Sequence, residues 1–381
     1  MAEKQASLMA GISAANASLF RRIGVALGDP AGWLRIGDQT VAVVRDLEMD
    51  RVRAAGRVDR VACPADHAPR VGLSADRETA TAQAIAQVFR SKKIERVIVD
   101  RHLPQIYAWH LDQAEIETVY DEDFGVVDRR SKTAEEIEAL RQAQAKTEQV
   151  MRQMCERIAA AEVNRDGMLK MGGAILTGDR VLREAAIEFM KLGCSMSHGG
   201  ICATVPDVAD CHHAGGGPLR TGATIVLDLF PRDESSRYWG DCTRTIVHGE
   251  IPERVARMHR AVCDAKTAAI DAMFTGVHAE AVHDATTEVL KSHGYKESRG
   301  KITETASIQH GTGHGIGLDL HEPILLDTGG GEILDGEVFT VEPGLYGTRD
   351  GGVRIEDMIV VSGDSTENLN RLPETLDWRI G

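Results

Sequence analysis

The chain has 381 residues, 43% of them hydrophobic and 27% charged, with a formal net charge of −14. That mixture belongs to a globular protein long enough for two domains and a sizeable core. The acidic balance and the lack of any polybasic run argue against nucleic acid or an anionic membrane as main partner, since both need a basic surface.

The first twenty residues, MAEKQASLMAGISAANASLF, contain no clean apolar segment of the signal-peptide kind, so none is expected. No run approaches the ~18 apolar residues of a membrane-spanning helix. The seven cysteines are scattered and form no CxxC pair. Reduced thiols in a cytoplasmic protein are the simplest reading.

Residues 13–24 read as an amphipathic helix ending near GDPAG. WLRIG and TVAVVRD read as two strands around a turn at Gly37 and Asp38. Residues 76–92 predict a second helix, ERVIVDR a strand, LPQIYAWHLD a short helix and IETVYD another strand. Strands alternating with helices predict an α/β domain of about 120 residues. Beyond DFGVVDRRSK, Thr133 and Glu136 match a capping box that opens a long amphipathic helix, with apolar residues at 137, 140, 151, 154 and 158. Further helices are expected over 252–275 and 279–293.

After about residue 195 glycine becomes dense, and short apolar runs alternate with tight turns. This texture predicts antiparallel strands. Four of the runs carry a carboxylate: IVLD ending at Asp228, DCTRTIV starting at Asp241, FTVE ending at Glu342, and VRIE ending at Glu356. One acidic residue in a strand is usually a solvent-facing position. Four in one domain call for something that holds them together, because unpaired buried carboxylates are costly. A cation is the economical explanation. Oxygen-rich ligation with one imidazole suits Mn²⁺, Co²⁺ or Zn²⁺, often as a pair that activates water.

The imidazoles lie in HGTGHGIGLDLHEP, at His310, His314 and His321. The spacing of the first two would suit a helical metal motif, but the interleaved glycines make a helix unfavourable. The spacing is not that of a phosphate-binding loop either. His212 and His213 sit upstream in CHHAGGGP, a loop. His110, His248 and His259 read as surface or packing positions. Cys202 and Cys211 match no standard zinc spacing.

In order and type these motifs resemble the pita-bread metallopeptidases: methionine aminopeptidase, aminopeptidase P, prolidase and the metal-free creatinase. The resemblance covers the last ~250 residues, and the N-terminal part is similar in position and size to the creatinase/prolidase N-terminal domain. It implies an α+β chain with a creatinase-like α/β domain over 1–128. A catalytic domain over 129–381 follows, with a curved antiparallel sheet covered by helices. It implies that Asp228 chelates one metal, that Asp241 and Glu356 bridge two, and that His314 and Glu342 complete the site. This intact ligand set sets the chain apart from the creatinase branch. His310 and His321 correspond to pocket histidines of the proline-specific branch, His212 to another, and Arg354 to an arginine that orients a metal carboxylate. The implied activity is an Xaa-Pro aminopeptidase, with an Xaa-Pro dipeptidase as the closest alternative. A non-peptidase hydrolase or lyase, or an inactive binding module on the same fold, is the reading from another class. Two divalent ions, Mn²⁺ before Zn²⁺ or Co²⁺, a peptide substrate with proline second, and a homodimer are implied with it.

Three departures concern the loop between the aspartates. Leu229-Phe230 replaces the usual xG after the first ligand, Arg237-Tyr238 replaces the usual GY before the second, and the ligands are thirteen apart rather than eleven. If Asp228 faced Asp241 directly, the turn would centre between Glu234 and Ser235, and both side chains would share one face.

Overall fold

The computed structural model describes residues 5–379. The chain divides into two compact units, Met1–Arg129 and Arg130–Gly381.

The first unit comprises β1 (Ala6–Ile12), α1 (Ala17–Ile23), β2 (Pro30–Ile36), β3 (Gln39–Val43), α2 (Met49–Ala55), β4 (Arg60–Ala62), α3 (Arg77–Ser91), β5 (Arg96–Val99), α4 (Gln105–Gln113) and β6 (Glu117–Tyr120). They build a six-stranded mixed sheet in the order β4-β3-β2-β1-β5-β6. The sequence pattern predicts β2, β3, β5, β6, α1, α3 and α4 but not β1, α2 or β4. β1 is central, antiparallel to β2 and parallel to β5. Its ASLMAGI shows no alternation because both faces are covered. Leu8 and Ala10 pack with Ile85 and Phe89 of α3, while Met9 packs with Leu19 and Ile23 of α1. A strand buried on both sides has no polar face to reveal it.

The second unit opens with the Ala134–Ala159 helix. Thr133 Oγ1 accepts from the Glu136 N–H while the Glu136 carboxylate accepts from the Thr133 N–H, so the capping box forms. Met151, Met154 and Ile158 of this helix meet Phe189 of the Gly178–Lys191 helix and Leu227 and Leu229 of a strand. Each such side chain contributes roughly 1.5–3 kcal/mol on burial. The Gly178–Lys191 helix is not among the expected elements. The Glu253–Asp271 and Ala279–Ser292 helices are.

The expected curved sheet is assembled from separate ladders rather than one continuous sheet. The Thr224–Leu229 strand is flanked by Gly200–Thr204 and Cys242–Val247, both antiparallel. A five-stranded sheet contains Gly313–Gly315, Glu322–Leu326, Val338–Val341, Asp357–Ser362 and Ser365–Asn368, and a four-stranded sheet contains Gly344–Gly347 and Gly351–Arg354. The ladders are stitched where Thr245 Oγ1 donates to the Arg354 carbonyl and accepts from its N–H, and where the Glu356 N–H reaches the Thr243 carbonyl at 3.2 Å.

A candidate metal centre

Asp228 stands near the end of the Thr224–Leu229 strand, opposite Thr243 rather than Asp241. The direct pairing considered above therefore does not form. Asp241 lies two residues from Thr243, so both carboxylates keep the same face but meet diagonally. The turn between them is responsible. Asp233 Oδ1 accepts from the N–H groups of Ser235 and Ser236 at 2.8 and 3.0 Å, and Arg237 adopts φ 68°. The turn thus centres one residue later than expected.

Asp241 is held from behind by a residue that the sequence pattern does not single out. Gln144, fully buried on the Ala134–Ala159 helix, accepts from the Asp241 N–H at 2.8 Å and donates to its carbonyl at 2.6 Å. Glu356 Oε2 accepts from Thr243 Oγ1 at 2.7 Å, and its carbonyl accepts from the buried Arg244 Nη1 at 2.7 Å. Glu342 follows the Val338–Val341 strand, its N–H bound to the Thr312 carbonyl. His314 sits on the Gly313–Gly315 strand, where a Cβ at Gly313 would lie 1.9 Å from the Thr340 carbonyl oxygen. Only glycine permits that approach.

The His314 ring donates from Nδ1 to the Gly315 carbonyl at 3.0 Å. Its Nε2 is left facing Asp241 Oδ2 and Glu342 Oε1, each 3.7 Å away. Burial pushes its pKa down to about 3, so the ring is neutral with an available Nε2 lone pair. The ligand atoms of Asp241, His314 and Glu356 all lie within 4.8 Å of one another. Asp228 Oδ1 and Asp241 Oδ1 are buried without a hydrogen-bond partner.

Burial first, then mutual repulsion, raises the carboxylates of Asp241 and Glu356 well above their ordinary range. Burial also raises Asp228, against the opposing pull of Arg354, and brings Glu342 to about 7. The charge of Arg354 opposes the rise in all four. Orphaned carboxylate oxygens, a free imidazole nitrogen and excess negative charge are what a divalent cation site requires, and the residues fit one.

Arg354 spends all its nitrogens. Nη2 donates to Asp228 Oδ2 at 2.7 Å, Nη1 to the Tyr346 hydroxyl at 2.8 Å and the Cys211 carbonyl at 3.2 Å, and Nε to Thr243 Oγ1 at 3.2 Å. Tyr346, also not singled out by its sequence context, donates its hydroxyl hydrogen bond to His310 Nε2 at 2.8 Å, because His310 Nδ1–H is bound to the Gly311 carbonyl at 2.8 Å. Burial holds His310 near a pKa of about 3. Both its nitrogens are thereby committed, and its ring presents only a face or edge to the cleft.

All nine residues singled out, Asp228, Asp241, His314, Glu342, Glu356, His212, His310, His321 and Arg354, line one cleft of about 870 Å³. His321 is exposed there, its ring 4.3 Å from that of His314. His213 is not among the lining residues, and its Nδ1 accepts from the Gly215 N–H. From the loop between the aspartates, Phe230 and Trp239 line the cleft while Arg237 pairs with Glu234 at 4.0 Å. Trp239 Nε1 donates to the Leu318 carbonyl, tying this loop to the one that carries His321. His248 and His259 hydrogen-bond the Ala161 and Glu374 carbonyls and take no part in the cleft. All seven cysteines are free. No helix among the described residues is long and apolar enough to cross a membrane.

Residues 138–363 match the model of metallopeptidase family M24, and the chain belongs to that family. It is 32% identical over 250 residues to a probable dipeptidase, PepE, of Mycobacterium tuberculosis, covering 65% of this chain and 60% of that protein. It is 33% identical over 215 residues to Xaa-Pro aminopeptidase 1 of Streptomyces coelicolor, covering 49% and 44% of the two chains. The chain thus spans well under two thirds of the length of these relatives. Its fold, an α/β unit followed in the chain by a pita-bread unit, matches the X-Pro aminopeptidase of Thermotoga maritima with a TM-score of 0.79 at 21% identity, over 98% of this chain and 97% of that one. The Xaa-Pro dipeptidase of Bacillus anthracis matches with a TM-score of 0.80 at 21% identity, over 98% and 94%.

Proposed function

We propose that this protein is a metal-dependent aminopeptidase that cleaves the bond between an N-terminal residue and a following proline. The observation that carries the reading is the convergence of Asp228, Asp241, His314, Glu342 and Glu356 in one cleft, with buried oxygens of both aspartates left unpartnered. Asp228, Asp241, His314, Glu342 and Glu356 would hold two divalent ions. A carboxylate-rich set favours Mn²⁺ over Zn²⁺ or Co²⁺. When bound, such a pair supplies Lewis-acid polarisation of the scissile carbonyl and acidifies a water molecule.

The chain's own groups do the rest. Glu342, lining the cleft beside His314, accepts the proton released by the attacking water. His321, with its ring open to the cleft, donates toward the oxygen on which charge develops. Arg354 fixes the Asp228 carboxylate in orientation. The proton then passes to the departing proline nitrogen. Proline offers no N–H, so its recognition must rest on shape. Phe230, Trp239 and Leu325 give the cleft apolar surface for its ring. The named activities of the relatives, on Xaa-Pro substrates, agree with this assignment.

The two compact units support an N-terminal domain over 1–128 and a catalytic domain over 129–381. A homodimer in the cytoplasm completes the proposal. Metal-loaded protein incubated with Ala-Pro-Ala and Ala-Ala-Ala should release alanine from the first only, and chelation should stop it. Asp228→Ala and Asp241→Ala should each abolish release. Full activity in either variant would remove the assignment.

A further inference from the structure

Lys132 and Glu322 form an ion pair with Nζ 2.9 Å from Oε2 and each side chain only 2% exposed, and neither is among the residues lining the cleft. Taking both charges out of water is costly, and apolar residues of similar size are often as stable or more so. The pair is better explained by what it holds in place. Lys132 is fixed at its own end: its N–H donates to the Gly336 carbonyl at 3.0 Å, and the Thr133 capping box begins at the next residue. Glu322 opens the Glu322–Leu326 strand, where it pairs with Gly315, the neighbour of His314.

Between Gly315 and Glu322 the chain forms the loop that carries His321, and the Glu322 carboxylate braces it. Lys132 holds Oε2, while Oε1 accepts from the Leu318 N–H at 3.1 Å and the Asp319 N–H at 3.4 Å. A Cβ at Gly317 would lie 2.7 Å from Oε2, so the loop closes onto the carboxylate only with glycine there. Trp239 grips the same turn: its backbone N–H donates to the Gly317 carbonyl and its Nε1 to the Leu318 carbonyl, each at 3.1 Å. The His321 ring itself has no hydrogen bond to another described residue. Its place in the cleft is set by the backbone of this loop and by edge contact with the His314 ring, 4.3 Å away.

We propose that the Lys132–Glu322 pair positions His321. Lys132 anchors one carboxylate oxygen, the other oxygen holds the turn at Leu318 and Asp319, and the loop so held presents the His321 ring to the substrate carbonyl. This rests on the reading of His321 as the donor to the oxygen on which charge develops. Hydrogen bonds to an ionised acceptor are the stronger kind, and a donor lowers the barrier only where it is already in place as the charge forms. Lys132 and Glu322 are thus positioning residues, acting through His321 without touching substrate.

The test compares variants of the full-length Mn²⁺-loaded protein on Ala-Pro-Ala. Lys132→Met with Glu322→Met removes the charges and the acceptor. Its kcat should fall by about 100-fold, the cost of a small misplacement of a catalytic group, with KM and Mn²⁺ affinity unchanged. Lys132→Met with Glu322→Gln removes the charges but keeps an acceptor for the Leu318 N–H, and should recover most of kcat. In a His321→Ala background the double Met variant should lose nothing further, because the group it misplaces is already gone. Equal losses in the Met and Gln variants, wild-type kcat in the Met variant, or the same loss repeated in His321→Ala would each overturn the proposal and leave the Xaa-Pro reading standing. No cleavage by the wild type, or full kcat in His321→Ala, would overturn that reading and the proposal with it. Melting curves show which variants fold. If the Met variant does not, Glu322→Asp, which keeps the charge and shortens its reach, replaces it with the same outcomes. NMR of the metal-free protein gives an arm independent of turnover. The His321 ring signal, identified by its loss in His321→Ala, should move in the Met variant and stay in the Gln variant. A signal unmoved in both is the opposing result.

Discussion

Arg354 Nη2 lies 2.7 Å from Asp228 Oδ2, while Asp228 Oδ1, also buried, has no hydrogen-bond partner. One oxygen is thus held by the protein and the other is left for a ligand. Arg354→Ala should weaken Mn²⁺ binding by about 10- to 100-fold, the usual cost of losing a group that orients a metal carboxylate. Arg354→Lys should recover only part, since a single ammonium cannot reach Asp228, Thr243 and Tyr346 together. Titration of the apoprotein with Mn²⁺, followed by electron paramagnetic resonance, measures both.

Gln144 grips both backbone groups of Asp241 from a helix 97 residues away in sequence. Gln144→Met keeps the volume and removes the grip. Mn²⁺ affinity should drop by roughly tenfold or more, because Asp241 is released from its position. Val150→Ala, a core truncation on the same helix, should lower the melting temperature with metal affinity unchanged. Calorimetric titration of the two variants separates positioning from general loss of stability.

Burial raises Glu342 from its ordinary 4.5 to about 7. With the folded-state value above the unfolded one, the metal-free native state keeps a proton that the unfolded chain has already released. Stability contributed by that proton is complete below about pH 4.5 and is lost as pH rises toward about 7. Glu342→Gln abolishes this loss. In chelator, the variant should gain on the wild type between pH 4.5 and pH 8 by on the order of 3 kcal/mol. The histidines, whose shifts run the other way, cancel in the comparison. Urea unfolding of both proteins at the two pH values gives the difference, and a pH-independent gap would contradict it.

Phe230 and Trp239 both face the cleft, but only Trp239 also ties down the Leu318 carbonyl. Trp239→Ala should therefore cost about 3 kcal/mol of stability and raise KM for Xaa-Pro substrates. Phe230, only partly buried, should raise KM on truncation with a much smaller loss of stability. Denaturant melts alongside steady-state kinetics distinguish the two.

The acidic residues are legible in the sequence because strands disfavour them. Asp228, Asp241, Glu342 and Glu356 interrupt apolar runs, and such a conflict between local preference and position marks a site. The capping box at Thr133 is legible for the same local reason: all its partners lie within four residues. Tyr346 and Gln144 are not, since a tyrosine in a strand and a glutamine in a helix conflict with nothing. Their partners are 36 and 97 residues distant. β1 is hidden because two covered faces leave no periodicity to read.

By itself, then, the sequence determined most of the long helices, the candidate ligand types and their order along the chain, all consequences of interactions over a few residues. The tertiary structure decided the rest. It put Asp228 opposite Thr243 instead of Asp241, because the Asp233 turn, not the spacing of the ligands, sets the register. It also turned His310 toward Tyr346. Those outcomes depend on which distant donors and acceptors packing brings within about 3 Å, and no local pattern encodes them.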